Sequence, residues 1–383
     1  MRVLALVPDA FGGYGGIAKY NRDLLRALCA YPTCSEVVAI PRQIPMRDAA
    51  EPLPARLTYV TSGLGGKLDY LVTVLRVVHS SPRFDLVLCG HINLLPIAFL
   101  LRLWARAPVA LFIHGLEAWR PTRRPLTNFL SSRVDAFISV SQLTKRRFLG
   151  WAGPKGNGGF LLPCSVDFER FRPGPKNTTL LDRYGLAGKT VVMSLGRLSA
   201  SESYKGRIYK GIDEVLELLP DLTEEIVDVV YLVVGEGSDR RRLEEKAKSL
   251  GLNKHVVFTG YVPESEKVDL YRLADAFVMP SRVEGFGIVF LEAMACGVPV
   301  VASKADASRE AVRNGALGIL VDPSDQQDIK AGILEALNRP KGVVPEGLDY
   351  FSYNRFEQRL HYIIGNVLQK GMITDQANST EVL

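Results

Sequence analysis

The sequence predicts an α/β protein built from two doubly wound parallel sheets. Its 383 residues exceed the roughly 150 residues of an average domain, which favours two domains. Short apolar runs rich in β-branched residues alternate with segments of helical length along the chain. Strands separated by helices form βαβ units, and such units build parallel sheets with helices on both faces.

The first series of elements occupies the N-terminal half. The apolar run Arg2–Val7 predicts a strand, and apolar residues at helical spacing predict a helix over Ile17–Ala30. Further strands of this series are predicted at Val37–Ile40, Leu86–Cys89, Val109–Ile113 and Ala136–Val140. Helices are expected between them, so this half predicts one complete parallel sheet.

The second series follows a segment rich in Gly and Pro, Gly150–Lys176, which predicts a linker. Its strands are predicted at Val191–Leu195, Val229–Val234, Val256–Thr259, Ala276–Met279 and Val298–Ala302. We therefore expect an N-terminal domain over residues 1–172 and a second domain over residues 173–352. A C-terminal helix at about 353–370 is expected to pack back on the first domain, and residues 371–383 to form a flexible tail.

Composition and cysteine usage predict a soluble cytoplasmic protein. Apolar residues make up 47% and charged residues 23% of the chain, which is typical of a globular protein rather than a disordered one. The five cysteines form no CxxC pair, which fits a reducing cytoplasm better than a disulfide framework. The most apolar stretch, Leu94–Leu103, contains Arg102 and is shorter than the ~20 residues needed to cross a bilayer.

The most informative segment is the loop and helix after the predicted strand Ala276–Met279. The loop contains Gly285 and Gly287. The helix is predicted to begin at about Ile288 and to end at Gly297. Glycines before a helix leave its first backbone N–H groups uncovered, and these groups attract anions.

Two carboxylates flank this predicted anion site. Glu284 lies in the loop, and Glu292 lies about one turn into the helix, where its side chain tilts back toward the helix N-terminus. Carboxylates beside uncovered amides suit a ligand that carries both hydroxyl groups and phosphate. The alternative is a capped helix with two surface glutamates, because glycine loops are common.

Basic residues follow the predicted strand Val191–Leu195. Arg197 lies at the carboxyl end of this strand, where open α/β sheets bind ligands. Lys205 and Lys210 precede a helix predicted over Asp213–Leu219, and each is followed by glycine. An Arg and a Lys at these positions can hold a diphosphate through charge-assisted hydrogen bonds, although either alone is an ordinary surface charge.

Two more strand-end turns are predicted at the same sheet edge. One begins at Gly235 after the strand Val229–Val234, and the other contains Tyr261 and Val262 after Val256–Thr259. The backbone groups of such turns suit contacts to a nucleotide base, although each turn is a weak signal by itself.

The glycine-rich loop after the first strand satisfies a dinucleotide-binding pattern over Gly13–Ala18. Two features argue against an oxidoreductase. The glycines begin four residues after Pro8 rather than directly after the strand. The strand Val37–Ile40 ends in Pro41-Arg42, without an acid for a ribose hydroxyl. We retain the interpretation of a glycine loop that faces a ligand.

A histidine ends another strand of the N-terminal half. His114 follows Val109–Ile113, at the sheet edge where a ligand is expected, and Gly115 would let a partner approach closely. A lone histidine is more often structural. The position of His114 at this edge nevertheless makes it a candidate ligand contact.

Together these segments resemble the family-4 retaining glycosyltransferases with the GT-B architecture, of the type that builds bacterial cell-surface polysaccharides and glycolipids. The resemblance covers nearly the whole chain, and its most specific part is Glu284-x7-Glu292 in the setting EGFGIVFLEAMACGVPVVA. It implies two Rossmann-like domains that face each other across a cleft. It also implies transfer of a hexosyl group from a nucleoside-diphosphate sugar to a glycan or lipid-linked acceptor hydroxyl, with no cofactor and no metal.

The resemblance implies roles for individual residues. Arg197 and a lysine neutralise the donor diphosphate, with Lys210 favoured over Lys205 because the helix start fixes it. Glu292 binds the ribose, and Glu284 holds the transferred sugar. The implied catalytic residues are His114, Arg197, Lys210 and Glu284. The implied donor-binding residues are Gly16, Arg197, Lys205, Lys210, Gly235, Tyr261, Val262, Glu284, Gly285, Phe286, Gly287, Ile288, Val289 and Glu292. The implied acceptor-side residues are Asp9 and Gly15.

An anionic membrane surface is a further expected partner, and nucleic acid is not expected. Residues 1–165 carry 20 basic and 9 acidic side chains, a balance of +11, whereas the remaining residues have a balance of −5. The run Lys145–Arg147 and the apolar residues Phe148 and Trp151 would contact the inner membrane face peripherally. The alternative is a soluble acceptor, with the charges serving only solubility.

Two other functions are compatible with the same scaffold. A nucleotide-sugar epimerase would convert its substrate without an acceptor. A non-catalytic GT-B protein would be expected to lose Glu284 or Arg197, and both are present here. For the transferase, the sequence shows no evident nucleophile. We therefore expect retention through a front-face route in which the departing phosphate accepts the proton of the acceptor.

Overall fold

The computed structural model describes residues 1–45, 52–81, 83–105, 107–153, 159–199, 203–204, 207–208 and 210–380. The chain forms two compact units. The first contains Met1–Ser165 together with Tyr353–Leu383, and the second contains Val166–Ser352. The second unit is therefore inserted into the first. Both the observed division after Ser165 and the expected one at residue 172 lie in the segment rich in Gly and Pro.

Within the described residues, the first unit contains a sheet of seven parallel strands. Its strands are β1 (Arg2–Val7), β2 (Glu36–Pro41), β3 (Leu57–Tyr59), β4 (Leu86–Cys89), β5 (Val109–Ile113), β6 (Ala136–Ser139) and β7 (Gly159–Leu161). Its helices are α1 (Gly16–Ala30), α2 (Lys67–Ser80), α3 (Leu95–Ala105), α4 (Pro125–Ser131), α5 (Gln142–Ala152) and the C-terminal α13 (Tyr353–Thr380). The strand order is β3-β2-β1-β4-β5-β6-β7.

The central strands of this sheet are buried on both faces, which explains their uninterrupted apolar sequences. Every residue of β4 and β5 is buried. Helices α2, α3 and α5 share one core with the sheet, in which Tyr70, Leu95 and Phe148 pack with Leu6. This burial corrects the expectation that Phe148 is exposed, because the helical period places it on the inner face of α5.

The C-terminal helix completes the first unit by packing along α1. His361 Nε2 donates a hydrogen bond to the Ala27 carbonyl oxygen at 2.8 Å. The rings of Tyr20 and Phe356 meet edge to face, with their centroids 5.5 Å apart. The backbone of α13 is helical to Thr380, and residues 381–383 lie outside the described residues. The flexibility expected over 371–383 stays a prediction.

In the described part of the second unit, six parallel strands form the main sheet, in the order β12-β11-β8-β13-β14-β15. Its strands are β8 (Thr190–Leu195), β11 (Val229–Val234), β12 (Val256–Gly260), β13 (Ala276–Val278), β14 (Val300–Ser303) and β15 (Ile319–Val321), and a separate antiparallel pair is formed by β9 (Ser203–Tyr204) and β10 (Arg207–Ile208). Its helices are α6 (Thr178–Tyr184), α7 (Ile212–Glu225), α8 (Arg240–Ser249), α9 (Lys267–Leu273), α10 (Ile288–Ala295), α11 (Ser308–Ala311) and α12 (Gln326–Asn338).

The predicted α/β class with two doubly wound sheets is confirmed. In each unit the strand order reverses beside the first strand, between β1 and β4 in one sheet and between β8 and β13 in the other. The sequence does not predict β3, β7, β9, β10 or β15, because these strands have only two or three residues each. Among the described helices, none is long and apolar enough to span a bilayer.

The packing of α13 predicts unequal effects for two of its aromatic residues. Phe356 is 1% exposed, whereas Tyr362 is 71% exposed. We expect Phe356→Ala to reduce the free energy of unfolding by about 3–5 kcal/mol, because it removes a buried ring. Tyr362→Ala should change it by less than about 0.5 kcal/mol. Urea unfolding of both variants measures the difference, and equal effects would contradict the packing of α13 on the first unit.

Candidate active site

The candidate site of the second unit lies at its topological switch point. β8 pairs with β11 on one side and with β13 on the other. The order in which strands are added to the sheet therefore reverses beside β8. The carboxyl end of β8 carries Gly196 and the exposed Arg197, and β13 leads into the loop before α10. Open α/β sheets bind ligands in the crevice that such a reversal leaves.

The turns that follow β8, β11 and β12 are held together by backbone hydrogen bonds. The Gly196 N–H donates to the Val234 carbonyl oxygen at 3.0 Å, and the Gly235 N–H donates to the Gly260 carbonyl oxygen at 3.2 Å. A Cβ added to Gly235 would lie 1.9 Å from the Gly196 oxygen, and the φ of Gly235 is +141°. Glycine is therefore required for this close approach.

Two residues expected in the site form an ion pair. Lys210 Nζ lies 2.5 Å from Oε2 of Glu284, and the two side chains are only 19% and 15% exposed. Water screens their attraction less than it would on an open surface. The lysine stem runs beside Gly196, with Cε 3.5 Å from the position of an added Cβ. Lys205 lies outside the described residues, so the choice of Lys210 over Lys205 stays a prediction.

A glycine sets the position of Lys210 relative to the loop. Gly211 is the N-cap of α7 and has a left-handed φ of +78°. A Cβ there would lie closer than van der Waals contact to the carbonyl group of Pro280, the residue that opens the loop before α10. The start of α7 therefore lies directly against the end of β13, and this contact brings Lys210 to Glu284.

The N-terminus of α10 provides uncovered backbone amides. Gly287 is its N-cap, in the left-handed region with a φ of +89°, and no side chain of the described residues caps this turn. The first-turn N–H groups of Ile288 and Val289 have no partner within the helix. The Gly285 N–H donates to Oε1 of Glu284 at 3.1 Å, which orients the carboxylate toward the helix start. This arrangement suits an anion.

Glu292 is more deeply buried than the sequence suggests. It is 2% exposed, and its Oε2 accepts a hydrogen bond from the Tyr271 hydroxyl at 2.8 Å and lies 2.7 Å from Lys267 Nζ. Burial and the negative charge of Glu292 raise the pKa of Tyr271 well above its usual value, so Tyr271 remains a donor. Sequence reasoning missed Lys267 and Tyr271. Their spacing of four residues places them on one face of α9, just after the Tyr261–Val262 turn, and this pattern could have identified them.

The other predicted donor-side residues of the second unit differ in exposure. Tyr261 is exposed and Val262 is half-buried, directly after β12. Val289 is half-buried, whereas Phe286 and Ile288 are buried. The Phe286 ring packs against Phe351, with the centroids 5.7 Å apart. Phe286 therefore supports the loop, and Tyr261 presents an exposed aromatic side chain at this edge.

In the first unit, the predicted glycine loop forms the N-terminus of α1. Gly15 is the N-cap with a φ of +86°, and both Gly15 and Gly16 are exposed. Arg22, from the next turn of α1, donates to the Gly13 carbonyl oxygen at 2.9 Å and thereby fixes the loop. Asp9 is 8% exposed, at the carboxyl end of β1. The three predicted positions of this loop and strand end, Asp9, Gly15 and Gly16, lie at the β1–β4 switch point.

His114 is held with a defined tautomer. Its Nε2 lies 3.0 Å from the Gly90 carbonyl oxygen. Because a carbonyl oxygen only accepts, Nε2 carries the proton and the neutral ring presents Nδ1 as an acceptor. Burial lowers the pKa of His114, and the charge of Glu117 opposes that shift. The Glu117 carboxylate accepts hydrogen bonds from the N–H groups of His114 and Gly115, at 2.5 and 3.1 Å.

A second histidine in this region was missed by sequence reasoning. His91 follows β4, and its Nδ1 accepts a hydrogen bond from the Asn93 N–H at 3.1 Å, at the start of a short 3₁₀ helix. Burial lowers the pKa of His91, and the charge of Glu117 opposes that shift. The position of His91 one residue beyond the end of a buried apolar run, close to the position of His114 after its own strand, is the signal that could have found it.

Comparison with known proteins assigns the chain to a family. Residues 14–170 match the family model "Glycosyltransferase Family 4", and residues 188–355 match the model "Glycosyl transferases group 1". This chain belongs to the glycosyltransferases. The two matches cover the N-terminal part of the first unit and most of the second, and together they confirm the resemblance seen in the sequence.

Curated relatives of this glycosyltransferase include mycobacterial mannosyltransferases. The GDP-mannose-dependent alpha-(1-6)-phosphatidylinositol monomannoside mannosyltransferase of Mycolicibacterium smegmatis is 35% identical over 246 residues, which are 61% of this chain and 62% of that protein. The phosphatidyl-myo-inositol mannosyltransferase of Mycobacterium leprae is 29% identical over 361 residues, which are 88% of this chain and 87% of that protein. The chain thus matches about 62% of the length of the first of these relatives.

Solved structures confirm the GT-B fold of this glycosyltransferase. The crystal structure of Anabaena HepE in complex with UDP and glucose has a TM-score of 0.72 and 22% identity, covering 95% of this chain and 99% of that chain. The apo form of the lipopolysaccharide outer core galactosyltransferase WaaB has a TM-score of 0.68 and 17% identity, covering 96% of this chain and 99% of that chain. At these identities the likeness concerns the fold alone.

The contact of Gly211 with Pro280 predicts a strong effect of a single methyl group. Gly211→Ala combines a left-handed φ with a clash against Pro280. It should therefore lower the free energy of unfolding by about 1–3 kcal/mol more than a glycine-to-alanine change that introduces only the left-handed strain. Gly251→Ala is the matched control, because Gly251 has a φ of +74° and an added Cβ would meet nothing within 4 Å. Urea unfolding compares the two variants. An equal loss of stability would contradict the close packing of α7 on the loop.

Proposed function

We propose that this protein transfers a hexosyl group from a nucleoside-diphosphate sugar to a hydroxyl of a glycan or lipid-linked acceptor, with retention and without a metal. The observation that carries the proposal is the Lys210–Glu284 ion pair beside the uncapped N-terminus of α10 at the β8–β13 switch point. This position combines a cation, a carboxylate and backbone amides, which are the groups that a sugar diphosphate requires.

The first part of the mechanism is stabilisation of the leaving group. As the bond from the sugar to the diphosphate breaks, negative charge grows on the phosphate oxygens, and positioned positive groups lower the barrier. Lys210, Arg197 and the first-turn amides of α10 supply that charge. A diphosphate that binds Lys210 would replace the Glu284 carboxylate, and the released carboxylate must then be compensated by hydrogen bonds from hydroxyl groups of the donor.

The two glutamates would then hold different parts of the donor. Glu284, released from Lys210, accepts hydrogen bonds from hydroxyl groups of the transferred sugar. Glu292 is held by Lys267 and Tyr271 and accepts hydrogen bonds from the ribose hydroxyls. His114 of the first unit contributes an acceptor nitrogen, Nδ1, toward the sugar, as the family resemblance implies. As the family resemblance implies, Asp9 and Gly15 would serve the acceptor, and Gly16 would contact the donor phosphates or the acceptor.

Retention follows from a front-face route. The bond between the anomeric carbon and the phosphate oxygen breaks, and the acceptor oxygen forms its bond on the same face. The acceptor proton passes to the departing phosphate, so the diphosphate leaves with one added proton. The positive groups of the chain perform the role that a metal would have, which supports a metal-independent reaction.

The names of the relatives indicate which substrates to test first. The mycobacterial relatives are named for GDP-mannose and for phosphatidylinositol acceptors, so GDP-mannose and a phosphatidylinositol lipid come first. HepE was solved with UDP, so UDP-sugars are the second series. Nucleotide release measures turnover, and NMR of the product distinguishes retention from inversion. Unchanged turnover with a chelator is expected. Conversion of the sugar without an acceptor or nucleotide release would instead indicate an epimerase.

A membrane-facing surface is also part of the proposal, at a different place from the one the sequence suggests. Lys145 Nζ donates to the Gly159 carbonyl oxygen at 2.6 Å. Arg147 stacks on Trp119, with its Cζ 3.9 Å from the ring centroid. Trp151 is partly buried and donates its Nε1–H to a backbone carbonyl oxygen. These residues are engaged within the first unit, so we place the main apolar contact on another surface of this unit.

The packed helices α3 and α4 present an exposed apolar surface beside cations, which we call the α3–α4 surface. Trp104, Leu126 and Phe129 are 59%, 58% and 55% exposed. The Arg133 guanidinium lies over Phe129 at 3.4 Å from the ring centroid, and Arg124 precedes α4. Aromatic and basic side chains together favour the interface of an anionic bilayer. We propose that this surface places the enzyme at the inner membrane face, where a lipid-linked acceptor is found.

Conservative changes of the two glutamates should separate their roles. Glu284→Gln should lower kcat by roughly 10- to 100-fold, because it weakens contacts to the sugar undergoing transfer. Glu292→Gln should mainly weaken nucleoside-diphosphate binding, by about 1–3 kcal/mol. Glu335→Gln, a change at an exposed surface ion pair, is the control. Steady-state kinetics and calorimetric titration with the diphosphate give the two quantities. Wild-type values for both variants would show that the site is assigned wrongly.

Membrane binding should depend on anionic lipid, on salt and on the α3–α4 surface. Vesicle co-sedimentation should show binding to anionic vesicles at low salt that fades as ionic strength rises. The double variant Leu126→Ser/Phe129→Ser should bind roughly tenfold more weakly, because it removes apolar insertion. Val227→Ser alters a residue that is 84% exposed in the second unit and should bind as the wild type does. Negligible binding to all vesicles would contradict the membrane proposal and would not affect the transferase proposal.

A further inference from the structure

His91 lies close to His114 at the switch point of the first unit. The Gly90 N–H donates to the Leu6 carbonyl oxygen at 2.7 Å, so the chain leaves β4 beside the end of β1. The carbonyl oxygen of the same glycine accepts the hydrogen bond from His114 Nε2 at 3.0 Å. Because His91 directly follows Gly90, its backbone lies one residue from the group that holds the His114 ring.

The two histidines also follow neighbouring strands at the same height. Cys89 of β4 pairs with Leu111 of β5, and His91 and the residue before His114 each come two positions later. Neighbouring strands lie about 5 Å apart, so one small group can reach both side chains. Burial lowers the pKa of His91 and Glu117 raises it, and the charge of His114 lowers it as well, as expected for two rings at short distance.

The start of a short 3₁₀ helix fixes the ring of His91. His91 is the N-cap of Ile92–Leu94, and its Nδ1 accepts the hydrogen bond from the Asn93 N–H at 3.1 Å. Ile92 and Leu94 are buried in the core of the first unit, which anchors this turn. A ring nitrogen that accepts an N–H carries no proton of its own, so the proton of the ring is on Nε2. His91 therefore presents an N–H donor.

The ring of His114 presents the complementary atom. Its Nε2–H is used by Gly90, so the neutral ring presents Nδ1 as an acceptor. The ring packs edge to face against Tyr20, with the centroids 5.1 Å apart, and the Tyr20 hydroxyl is itself held by the Leu162 carbonyl oxygen at 3.1 Å. Within the described part of the chain, Nε2 of His91 and Nδ1 of His114 make no hydrogen bond. One free donor and one free acceptor thus lie at the same sheet edge.

We propose that His91 and His114 together bind one hydroxyl group of the ligand, and that His91 is thereby a specificity-determining residue. The hydroxyl oxygen accepts the hydrogen bond from Nε2–H of His91, and the hydroxyl hydrogen is donated to Nδ1 of His114. The proposal rests on the proposed function in one respect, namely that the ligand is the donor sugar or the acceptor of the transfer reaction. In either case the group bound is a hydroxyl of a sugar or polyol.

This pair of nitrogens selects a hydroxyl over other polar groups. A hydroxyl has a donor hydrogen and acceptor lone pairs on one oxygen, so it satisfies both rings. A carbonyl or carboxylate oxygen would accept from His91 but would place a lone pair against Nδ1 of His114. An ammonium group would donate to His114 and leave the N–H of His91 without a partner. A ligand that lacks the hydroxyl loses both hydrogen bonds, which lowers its affinity.

Capping of the 3₁₀ helix accounts for only one nitrogen of the His91 ring. A cap needs a single acceptor atom, which the shorter side chain of Asn also supplies. Nε2 lies further from the backbone than Nδ1 and takes no part in the cap. Substitution can therefore separate the two roles. The Oδ1 atom of Asn can replace Nδ1, and the side-chain amide nitrogen of Gln can replace Nε2.

Two variants of His91 in the full chain test the proposal. His91→Asn should keep the urea midpoint of the wild type, and it should lower kcat/KM for GDP-mannose with a phosphatidylinositol acceptor by roughly five- to tenfold, the value of one hydrogen bond. His91→Gln should lower the urea midpoint and recover most of the lost kcat/KM. The opposite order, with Gln the less active variant, would indicate a capping role alone and overturn the proposal. His79→Asn, at the exposed end of α2, is the control and should match the wild type in both measurements.

Deoxy analogues identify the hydroxyl and show whether it belongs to the donor or to the acceptor. One series removes each hydroxyl of the mannose in GDP-mannose, and the other removes hydroxyls of the inositol ring. Removal of the bound hydroxyl should lower the kcat/KM of the wild type by roughly 10- to 100-fold. On that analogue the wild type and His91→Asn should be alike, because the hydrogen bond from His91 is then absent from both. If no analogue in either series removes the difference between the two proteins, the proposal is wrong.

NMR of the imidazole nitrogens tests the proposal without turnover. In the free protein at neutral pH, long-range nitrogen–proton spectra should show His91 and His114 as Nε2–H tautomers. Titration with free mannose or free inositol should shift Nε2 of His91 and Nδ1 of His114 together. A proton on Nδ1 of His91, or rings that respond to neither compound, would overturn the proposal. A chain that turns over no donor would contradict the proposed function, and the NMR titration would still decide the role of His91.

Discussion

Close backbone contact at the β8–β13 switch point is the constraint on which the candidate site depends. Gly235 lies against the Gly196 carbonyl group, and Gly211 lies against Pro280, in both cases without space for a side chain. The first contact joins the turns after β11 and β8, and the second brings the start of α7 against the loop before α10. The pairing of Lys210 with Glu284, 74 positions apart in the sequence, is a consequence of that backbone packing.

The two glutamates of the candidate site are each compensated in a different way. Glu284 is paired with a cation that a phosphate can take over, and Glu292 is shared between a lysine and a tyrosine. Since a buried charge is costly unless it is compensated, these differences set how easily each carboxylate can change partner. In the proposed reaction, Glu284 exchanges its partner, whereas Glu292 keeps both of its donors.

Local sequence patterns predict much of the fold and part of the site. The bounds of β4 and β5 follow from continuous apolar runs, and the Glu284–Gly287 loop follows from strand, glycine and helix signals within a few residues. Phe148 was placed wrongly because its cationic neighbours suggested a surface, whereas the helical period decides its face. The partnership of Lys267 with Glu292 could not be predicted, because it depends on a contact between elements that only the assembled sheet brings together.

The return of α13 to the first unit has a consequence for the order in which the protein is made. Domains fold as units during synthesis, generally from the N-terminus onward. Here the second unit, Val166–Ser352, is continuous in sequence and leaves the ribosome before the last helix of the first unit. The Tyr20 side chain and its surroundings on α1 therefore lack the ring of Phe356 until the whole second unit has been synthesised. The inserted unit can reach its final packing first, and the unit that begins the chain is the last to be completed.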